Sequence, residues 1–363
     1  MGQEAIEEAQ ERWVSGHLYY HQSLDPVMHG FVYPLVVSLI EDRLIDAFFF
    51  VRYALGGPHV RLRLRVIPGT RQRALEAMQQ SARRFLDLEP STCPLKEEEI
   101  RRVNASILAA DPHETDASVY PDNFFRLAPF RPEVQRYGGP SRFQASLDFF
   151  TLSSAATIEL TSRDRAISRS AQLAHALHLL LRQAIGFADD EAELLALVSY
   201  AVNWWGEMLP RVCEKADMVA RSQREDFLHL FHHSLACVRS LQTGRASSGL
   251  LPDLLVAGAG RLSAVLATAD RNSRARIGCS QLHMTASRLG LSNAEEVYLS
   301  RLLTLTLEEV RAESNEDLSW IGKKVIQGAA GSQAEALSNL LPAALAALVE
   351  SSSQHRFAGF NGH

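Results

Sequence analysis

The sequence predicts an α+β fold, with a ferredoxin-like, sheet-rich N-terminal part packed with a mostly helical C-terminal part. In the first 140 residues, short runs alternate apolar and polar side chains, which is the period of half-buried strands. From residue 144 onward, apolar residues recur at helical spacing almost throughout. We therefore expect a single domain over residues 1–350, sheet-rich over 13–140 and helical over 144–350, followed by a flexible tail over 351–363.

The sheet-rich part begins with the order strand, helix, strand, strand, helix, which is typical of a split, ferredoxin-like sheet. Polar residues 97–123 predict loops with weak strand signals. The predicted strands are Gly16–Gln22, Asp46–Tyr53 and His59–Ile67, the predicted helices are Pro26–Arg43 and Gln72–Leu88, and Phe124–Val134 is predicted to be extended.

The helical part is interrupted by residues that end helices, at Gly186, Pro210 and Gly290. The predicted helices are Gln144–Leu160, Arg163–Gly186, Asp190–Glu207, Glu225–Leu241, Pro252–Ala269, Glu295–Glu313 and Gln333–Ser351.

Composition excludes several classes of protein. The net charge of −5 argues against nonspecific binding of nucleic acid, and we expect no direct nucleic-acid partner. The four cysteines are scattered without CxxC spacing, which predicts buried thiols in a reducing cytosol and no disulfide framework. Residues 1–13 are acidic and lack an apolar run, and no apolar stretch reaches membrane-spanning length, so neither a signal peptide nor membrane contact is expected.

The most informative segment is FFFVRYALGGPHVRLRLRV, residues 48–66. Side chains alternate across a strand, so the strand after the Gly-Gly-Pro turn places its apolar and basic residues on opposite faces. The basic face carries His59, Arg61, Arg63 and Arg65. Guanidinium groups on a rigid strand match the geometry of carboxylates, so this face is a candidate carboxylate site. The alternative is a solvated sheet face.

Generic motifs identify neither a cofactor nor a nucleophile. His229, His232 and His233 share one predicted helix, and His175 and His178 share another. No HExxH motif or carboxylate ligand at a fixed offset accompanies them, so we expect no metal site. No Walker, dinucleotide-binding or GxSxG pattern occurs, and we expect no cofactor.

Two further segments carry a family resemblance. FRPEVQRYGG (130–139) and CSQLHMTASRLGL (279–291), together with the basic strand, resemble the C-terminal elimination domain of class I lantibiotic dehydratases. They also resemble the stand-alone thiopeptide-type bacteriocin biosynthesis proteins built on that domain. The resemblance extends from just after Trp13 to the helix after Leu291. No segment resembles the large tRNA-dependent glutamylation domain, which implies a separate glutamylating dehydratase subunit as a partner.

The resemblance implies two reactions and a set of site residues. Eliminating members remove glutamate from glutamylated Ser or Thr of a precursor peptide, whereas related pyridine synthases join two dehydroalanines and expel the leader peptide. The residues needed for elimination fall here on Arg63, Arg136 and His283. The substrate-binding residues implied alongside them are Arg61, Glu133 and Arg288, with Ser287 and Tyr298 as hydroxyl donors in a pyridine synthase.

These residue types suit β-elimination, which needs a base for the Cα proton and stabilisation of the departing carboxylate. His283 is a candidate proton acceptor, although a lone histidine on such a stretch is more often part of the core. Arg63 and Arg136 are candidates to bind carboxylates of the substrate. Glu133 is a candidate to orient an arginine. We therefore expect the basic strand face to point into a cleft on which Arg136 and His283 converge.

The chain also departs from the eliminating members. Where they often carry a Glu and then an Asp-Ser pair, it has Leu147 and Ser153-Ser154. A second His and two Asn near His283 are replaced by Thr285, Ala286 and Ser287. Glutamate elimination is the leading hypothesis, a pyridine synthase is the alternative, and a non-catalytic protein that binds the precursor peptide is the third. Leader binding by strand addition at a sheet edge is expected in each case.

Overall fold

The computed structural model describes residues 11–110, 114, 116–163, 168–242, 251–313 and 337–358. They form two compact units. The first unit comprises the chain up to Glu133 together with the chain from Leu348, and the second unit spans Val134–Ala347. The α+β class predicted from the sequence is confirmed, because the first unit holds the sheet and the second is helical.

A four-stranded antiparallel sheet forms the centre of the first unit. Its strands are β1 (Trp13–Tyr19), β2 (Ile45–Tyr53), β3 (His59–Val66) and β4 (Phe124–Ala128), in the order β2-β3-β1-β4. This order, with helices between β1 and β2 and between β3 and β4, is the split arrangement that the sequence predicted. The first predicted strand, Gly16–Gln22, begins three residues late relative to β1.

Along the chain, the helices of the first unit follow β1 and β3. They are α1 (Asp25–Val27), which continues through a π-helical turn (Met28–Val32) into α2 (Tyr33–Glu41), and α3 (Arg71–Leu88) and α4 (Glu97–Ala110). Val60, Leu62 and Leu64 of β3 are fully buried on the apolar face of the sheet. Helix α3 approaches this face closely, because a Cβ atom on Gly16 of β1 would lie 2.5 Å from the Met78 sulfur.

The prediction of loops over residues 97–123 is wrong for the first half of this range, which forms helix α4. Three glutamates occupy the first turn of this helix, where negative charge is favourable. Asn104 is buried and fixes the helix to two loops, since its side-chain oxygen accepts from the Gly56 amide at 2.7 Å and its side-chain nitrogen donates to the Ser118 carbonyl at 3.3 Å. These tertiary contacts override the polar local pattern.

The second unit is built from helices. They are α5 (Pro140–Arg163), α6 (Arg169–Phe187), α7 (Glu191–Val198), α8 (Tyr200–Trp205) with a 3₁₀ turn (Gly206–Met208), α9 (Pro210–Ser222), α10 (Arg224–Gln242), α11 (Leu251–Leu266), α12 (Arg271–Arg288), α13 (Asn293–Glu313) and α14 (Leu341–Ala358), which ends in the first unit. The predicted helix Asp190–Glu207 is divided into α7, α8 and the 3₁₀ turn.

Two helices of this unit escaped prediction. Pro210 was interpreted as a break, but it lies in the first turn of α9, where proline needs no amide partner. Helix α12 has weak apolar periodicity, and its N-cap is Asp270, whose side chain accepts from the Ser273 amide.

At the C-terminal end, α14 includes residues 351–358 of the predicted tail, and residues 359–363 lie outside the described part of the chain. The predicted helix Gln333–Ser351 begins outside it as well. Within the described ranges, the helices are too short or too polar to cross a membrane.

Candidate active site

The basic face of the sheet is partly buried. The side chain of Arg61 is 17% exposed and that of Arg65 is 15% exposed, so neither points freely into solvent. Arg61 pairs with Glu114 at 3.1 Å, and its guanidinium carbon lies 3.9 Å from the centre of the Tyr53 ring. Arg65 donates to Asp46 at 2.5 Å. Carboxylates of the protein itself therefore bind both of these arginines.

Two histidines on this face are held uncharged. His59 is fully buried, with Nδ1 2.8 Å from the Gly57 carbonyl and Nε2 accepting from Arg61 Nε at 3.1 Å. Burial, followed by the charge of Arg61, lowers the pKa of His59 to about 3. Burial, followed by the charges of His59 and Arg61, lowers the pKa of His17 on β1 to about 2. The positive charge of the face at neutral pH therefore comes from its arginines.

Arg63 lies in an aromatic setting. Its guanidinium carbon is 5.1 Å from the centre of the Phe49 ring and 5.9 Å from that of Phe130. Ser15 lies directly opposite Arg63 in the sheet register. The hydroxyl of Ser15 is buried and has no hydrogen-bond partner among the described residues. A buried hydroxyl without a partner is uncommon in proteins, and this one lies across the sheet from Arg63.

The second unit holds Arg136 on an exposed turn. Gly138 and Gly139 follow it with φ values of +78° and +105°, a backbone that favours glycine. The neighbouring Tyr137 is buried, and its hydroxyl lies 3.3 Å from the hydroxyl of Ser280 on α12. This contact attaches the Arg136 turn to the helix that carries His283.

His283 is paired with a buried carboxylate. Its Nδ1 lies 3.0 Å from Glu296 Oε2, and the Glu296 side chain is 1% exposed whereas that of His283 is 30% exposed. An ionised carboxylate only accepts hydrogen bonds, so Nδ1 carries the proton and Nε2 is the basic nitrogen. The Tyr200 hydroxyl donates to the same oxygen of Glu296 at 2.7 Å. Burial, followed by the charge of Glu296, raises the pKa of Tyr200 well above its ordinary value.

Two indole rings lie beside this histidine. The ring centres of Trp204 and Trp205 are 5.8 Å and 5.3 Å from that of His283. They come from α8, the helix that also supplies Tyr200. His283 is therefore fixed by a carboxylate on one nitrogen and lies against aromatic surface.

The other residues implied by the family resemblance lie in different settings. Arg288 is fully buried, donates to Ser153 Oγ at 2.8 Å and lies 4.9 Å from the centre of the Phe150 ring. These contacts join α12, which carries Arg288, to α5, which carries Ser153 and Phe150. Ser287 is half-buried, and Glu133 is exposed at the end of the first unit.

The structure thus connects Arg136 with His283 inside the second unit, while Arg61 and Arg63 lie together in the first. Sequence reasoning missed Glu296, Tyr200 and Ser15. The available signal for Glu296 was the pair of glutamates at the start of a predicted helix, which is also the ordinary signature of a helix N-terminus.

The histidines on the helices of the second unit have other contacts. The ring centres of His178 and His233 are 6.5 Å apart, and His233 Nε2 lies 3.5 Å from the sulfur of Cys237. In the described part of the chain, no three His, Cys, Asp or Glu side chains are grouped so as to hold a metal ion.

The chain matches the sequence profile of the family described as lantibiotic biosynthesis dehydratase C-term over residues 13–307. No curated protein matches it.

Several solved structures share the fold, among them TbtD, MibB and TsrL. The pyridine synthase TbtD from thiomuracin biosynthesis superposes with a TM-score of 0.69 at 17% identity, covering 84% of this chain and 100% of TbtD. The tRNA-dependent lantibiotic dehydratase MibB from Microbispora sp. 107891 superposes with a TM-score of 0.58 at 17% identity, covering 85% of this chain and 29% of MibB. TsrL superposes with a TM-score of 0.51 at 16% identity, covering 87% of this chain and 99% of TsrL.

Proposed function

Because the chain belongs to the lantibiotic biosynthesis dehydratase C-terminal family, we propose that it matures a ribosomally made precursor peptide. The proposed reaction is elimination of glutamate from glutamylated Ser or Thr, which leaves a dehydroamino acid. The contact between His283 and Glu296 is the observation that carries this proposal, because it fixes an accessible imidazole with Nε2 as its basic nitrogen.

In the proposed reaction, Nε2 of His283 takes the Cα proton of the glutamylated residue. The electron pair forms the Cα–Cβ double bond, the Cβ–O bond breaks, and glutamate leaves as a carboxylate. Arg63 and Arg136 are proposed to bind the free carboxylate of the glutamyl group and to stabilise the charge that develops on the departing carboxylate. Arg61 is proposed to support Arg63 on the same strand.

The remaining predicted residues receive proposed roles from their surroundings. Glu133 is exposed, and we propose that its carboxylate orients an arginine. For Arg288 we propose a supporting role in place of direct substrate contact, because its side chain is fully buried and bonded to Ser153.

The proposal also includes partners. A separate tRNA-dependent enzyme would supply the glutamyl ester, and the leader of the precursor peptide would bind at a sheet edge, where β2 and β4 are the outer strands. A cytoplasmic location stays a prediction.

Mass spectrometry tests the reaction. A synthetic peptide with one glutamylated serine is incubated with the wild-type protein and with His283→Ala. We expect the wild type to release glutamate and leave dehydroalanine, while the variant leaves the glutamyl adduct in place. An adduct that persists with the wild type contradicts glutamate elimination.

A pyridine synthase is the second candidate function, and the replaced polar positions favour it. Ser153, Thr285 and Ala286 are all fully buried, and small residues occupy these positions in place of the ionisable and amide groups of eliminating members. A peptide that already carries two dehydroalanines tests this function. Loss of the leader together with a new pyridine chromophore would support it. Binding of both peptides without a change in mass would instead support a non-catalytic peptide-binding protein.

A further inference from the structure

We propose that Trp204 and Trp205 form a subsite for a planar, unsaturated side chain of the substrate peptide, next to the residue on which His283 acts. The inference rests on the proposed function in taking a peptide as the occupant. It adds a chemical preference for the residue that flanks the reacting one, a preference that the arginines and His283 do not provide.

Exposure of apolar surface is the first observation. Trp204 is 42% exposed, and Met208 in the following turn is 70% exposed. Within the described residues of the second unit, the strongly exposed large hydrophobic side chains are these two and Met218, and all three lie on α8, α9 or the turn between them. Of these three, Trp204 lies beside His283, and exposed aromatic surface next to a candidate catalytic residue indicates a binding site more than a general property of the protein surface.

The arrangement of the rings is the second observation. Trp204 meets Tyr200, Trp205 and His283 at ring-centre distances of 5.3, 5.4 and 5.8 Å. The interplanar angles of these contacts are 82°, 84° and 73°, so Trp204 is held edge to face by three rings. A rigid indole whose remaining surface is exposed loses little conformational entropy when a ligand packs on it.

The preference for a planar group follows from this rigidity. Flat side chains and dehydroamino acids pack against an indole ring in offset or edge-to-face geometry, and such pairs contribute beyond the area that they bury. A flexible surface lined mainly by methionine would accept aliphatic side chains equally well. Because His283 becomes a cation whenever it takes a proton, a neutral planar side chain suits the site better than a cationic one.

Fluorescence anisotropy tests the subsite with three labelled synthetic heptapeptides. Each has an unmodified serine at its centre, and the residue after the serine is phenylalanine, cyclohexylalanine or alanine. Cyclohexylalanine matches phenylalanine in bulk but has no π system. We expect the full-length wild-type chain to bind the phenylalanine peptide about three- to tenfold more tightly than the cyclohexylalanine peptide.

Variants of Trp204 then locate the preference. Trp204→Leu should bind the phenylalanine and cyclohexylalanine peptides equally, whereas Trp204→Phe should retain most of the difference. Met218→Ala changes another exposed hydrophobic residue and should leave the difference unchanged. Thermal unfolding confirms that each variant is folded.

Equal binding of these two peptides by the wild type overturns the subsite, including equally weak binding of all three. A preference that survives in Trp204→Leu overturns it as well. Since these peptides carry no leaving group, the result is independent of turnover. A preference without any elimination in the separate mass-spectrometric assay would contradict the proposed function alone.

Discussion

The hydroxyl groups of Tyr137 and Ser280 meet at 3.3 Å, and this contact joins two segments that are 143 residues apart in the chain. One segment is the turn that carries Arg136, and the other is the helix α12 that carries His283. Both hydroxyl-bearing residues are buried, so the position of the turn on the helix does not depend on solvent-exposed side chains.

A double-mutant cycle tests this connection. Tyr137→Phe and Ser280→Ala should each lower the free energy of unfolding by about 0.5–1.5 kcal/mol, the net contribution of one hydrogen bond. Each should also slow turnover, because the Arg136 turn is less firmly held. The double variant should be no slower than the slower single variant, since both changes remove the same contact. Fully additive losses, measured by urea unfolding and by rates of glutamate release, would show that the two hydroxyl groups act independently.

Glu296→Gln replaces the carboxylate, which can only accept a hydrogen bond from Nδ1 of His283, with an amide. The amide can offer a donor at that position, so the imidazole loses its fixed tautomer. We expect kcat for glutamate release to fall on the order of 100-fold with little change in KM, since general acid–base catalysis contributes factors of this size. Steady-state kinetics on the glutamylated peptide provides the measurement.

Tyr200→Phe is the matched control for this change. It removes the other donor to Glu296 but leaves the carboxylate in place. Its kcat should fall far less than that of Glu296→Gln. A large effect on KM alone in the Glu296 variant would indicate a role in binding the peptide and would contradict the positioning role.

Arg63→Ala and Arg136→Ala should each remove a contact with developing negative charge. Loss of about 2–4 kcal/mol of transition-state stabilisation corresponds to a rate roughly 30- to 1,000-fold lower. Arg65→Ala is the control on the same face of β3, because Arg65 is already bound to Asp46. Wild-type rates in both the Arg63 and Arg136 variants would remove them from the proposed site.

The fold was predictable where local patterns and tertiary contacts agree. The alternation of Val60, Leu62 and Leu64 with the basic residues is local, and β3 forms where that pattern predicts a strand. Helix α4 was missed because its stability depends on a tertiary anchor, Asn104, which a polar sequence window does not reveal. Local patterns therefore predicted strands better than helices that begin with a polar turn.

The candidate site was predictable only in part for the same physical reason. Arg63, Arg136 and His283 belong to sequence motifs, so they were identified from the family resemblance. Glu296 on α13 meets His283 on α12 only in the folded structure, and no spacing rule connects residues on two separate helices. The neutral state of His17 was equally hidden, because it arises from burial beside the sheet's other basic side chains.

Stability should fall steeply in mild acid because His17 and His59 are buried uncharged. Their pKa values in the folded protein are about 2 and about 3, both below the ordinary value of 6.5. Below pH 6.5 the unfolded chain therefore binds protons that the folded chain does not, and acidification favours unfolding. Each histidine should remove about 1.4 kcal/mol of stability per pH unit from pH 6.5 down towards its folded pKa.

Urea unfolding at pH 7.5 and pH 5.0 measures this loss. Relative to the wild type, His17→Gln should lose about 2 kcal/mol less between the two pH values, because glutamine takes up no proton. His175→Gln is the control, because it removes a histidine whose side chain is exposed. If His17→Gln and the wild type lose the same stability between pH 7.5 and pH 5.0, His17 is not the buried neutral group that its surroundings on the sheet indicate.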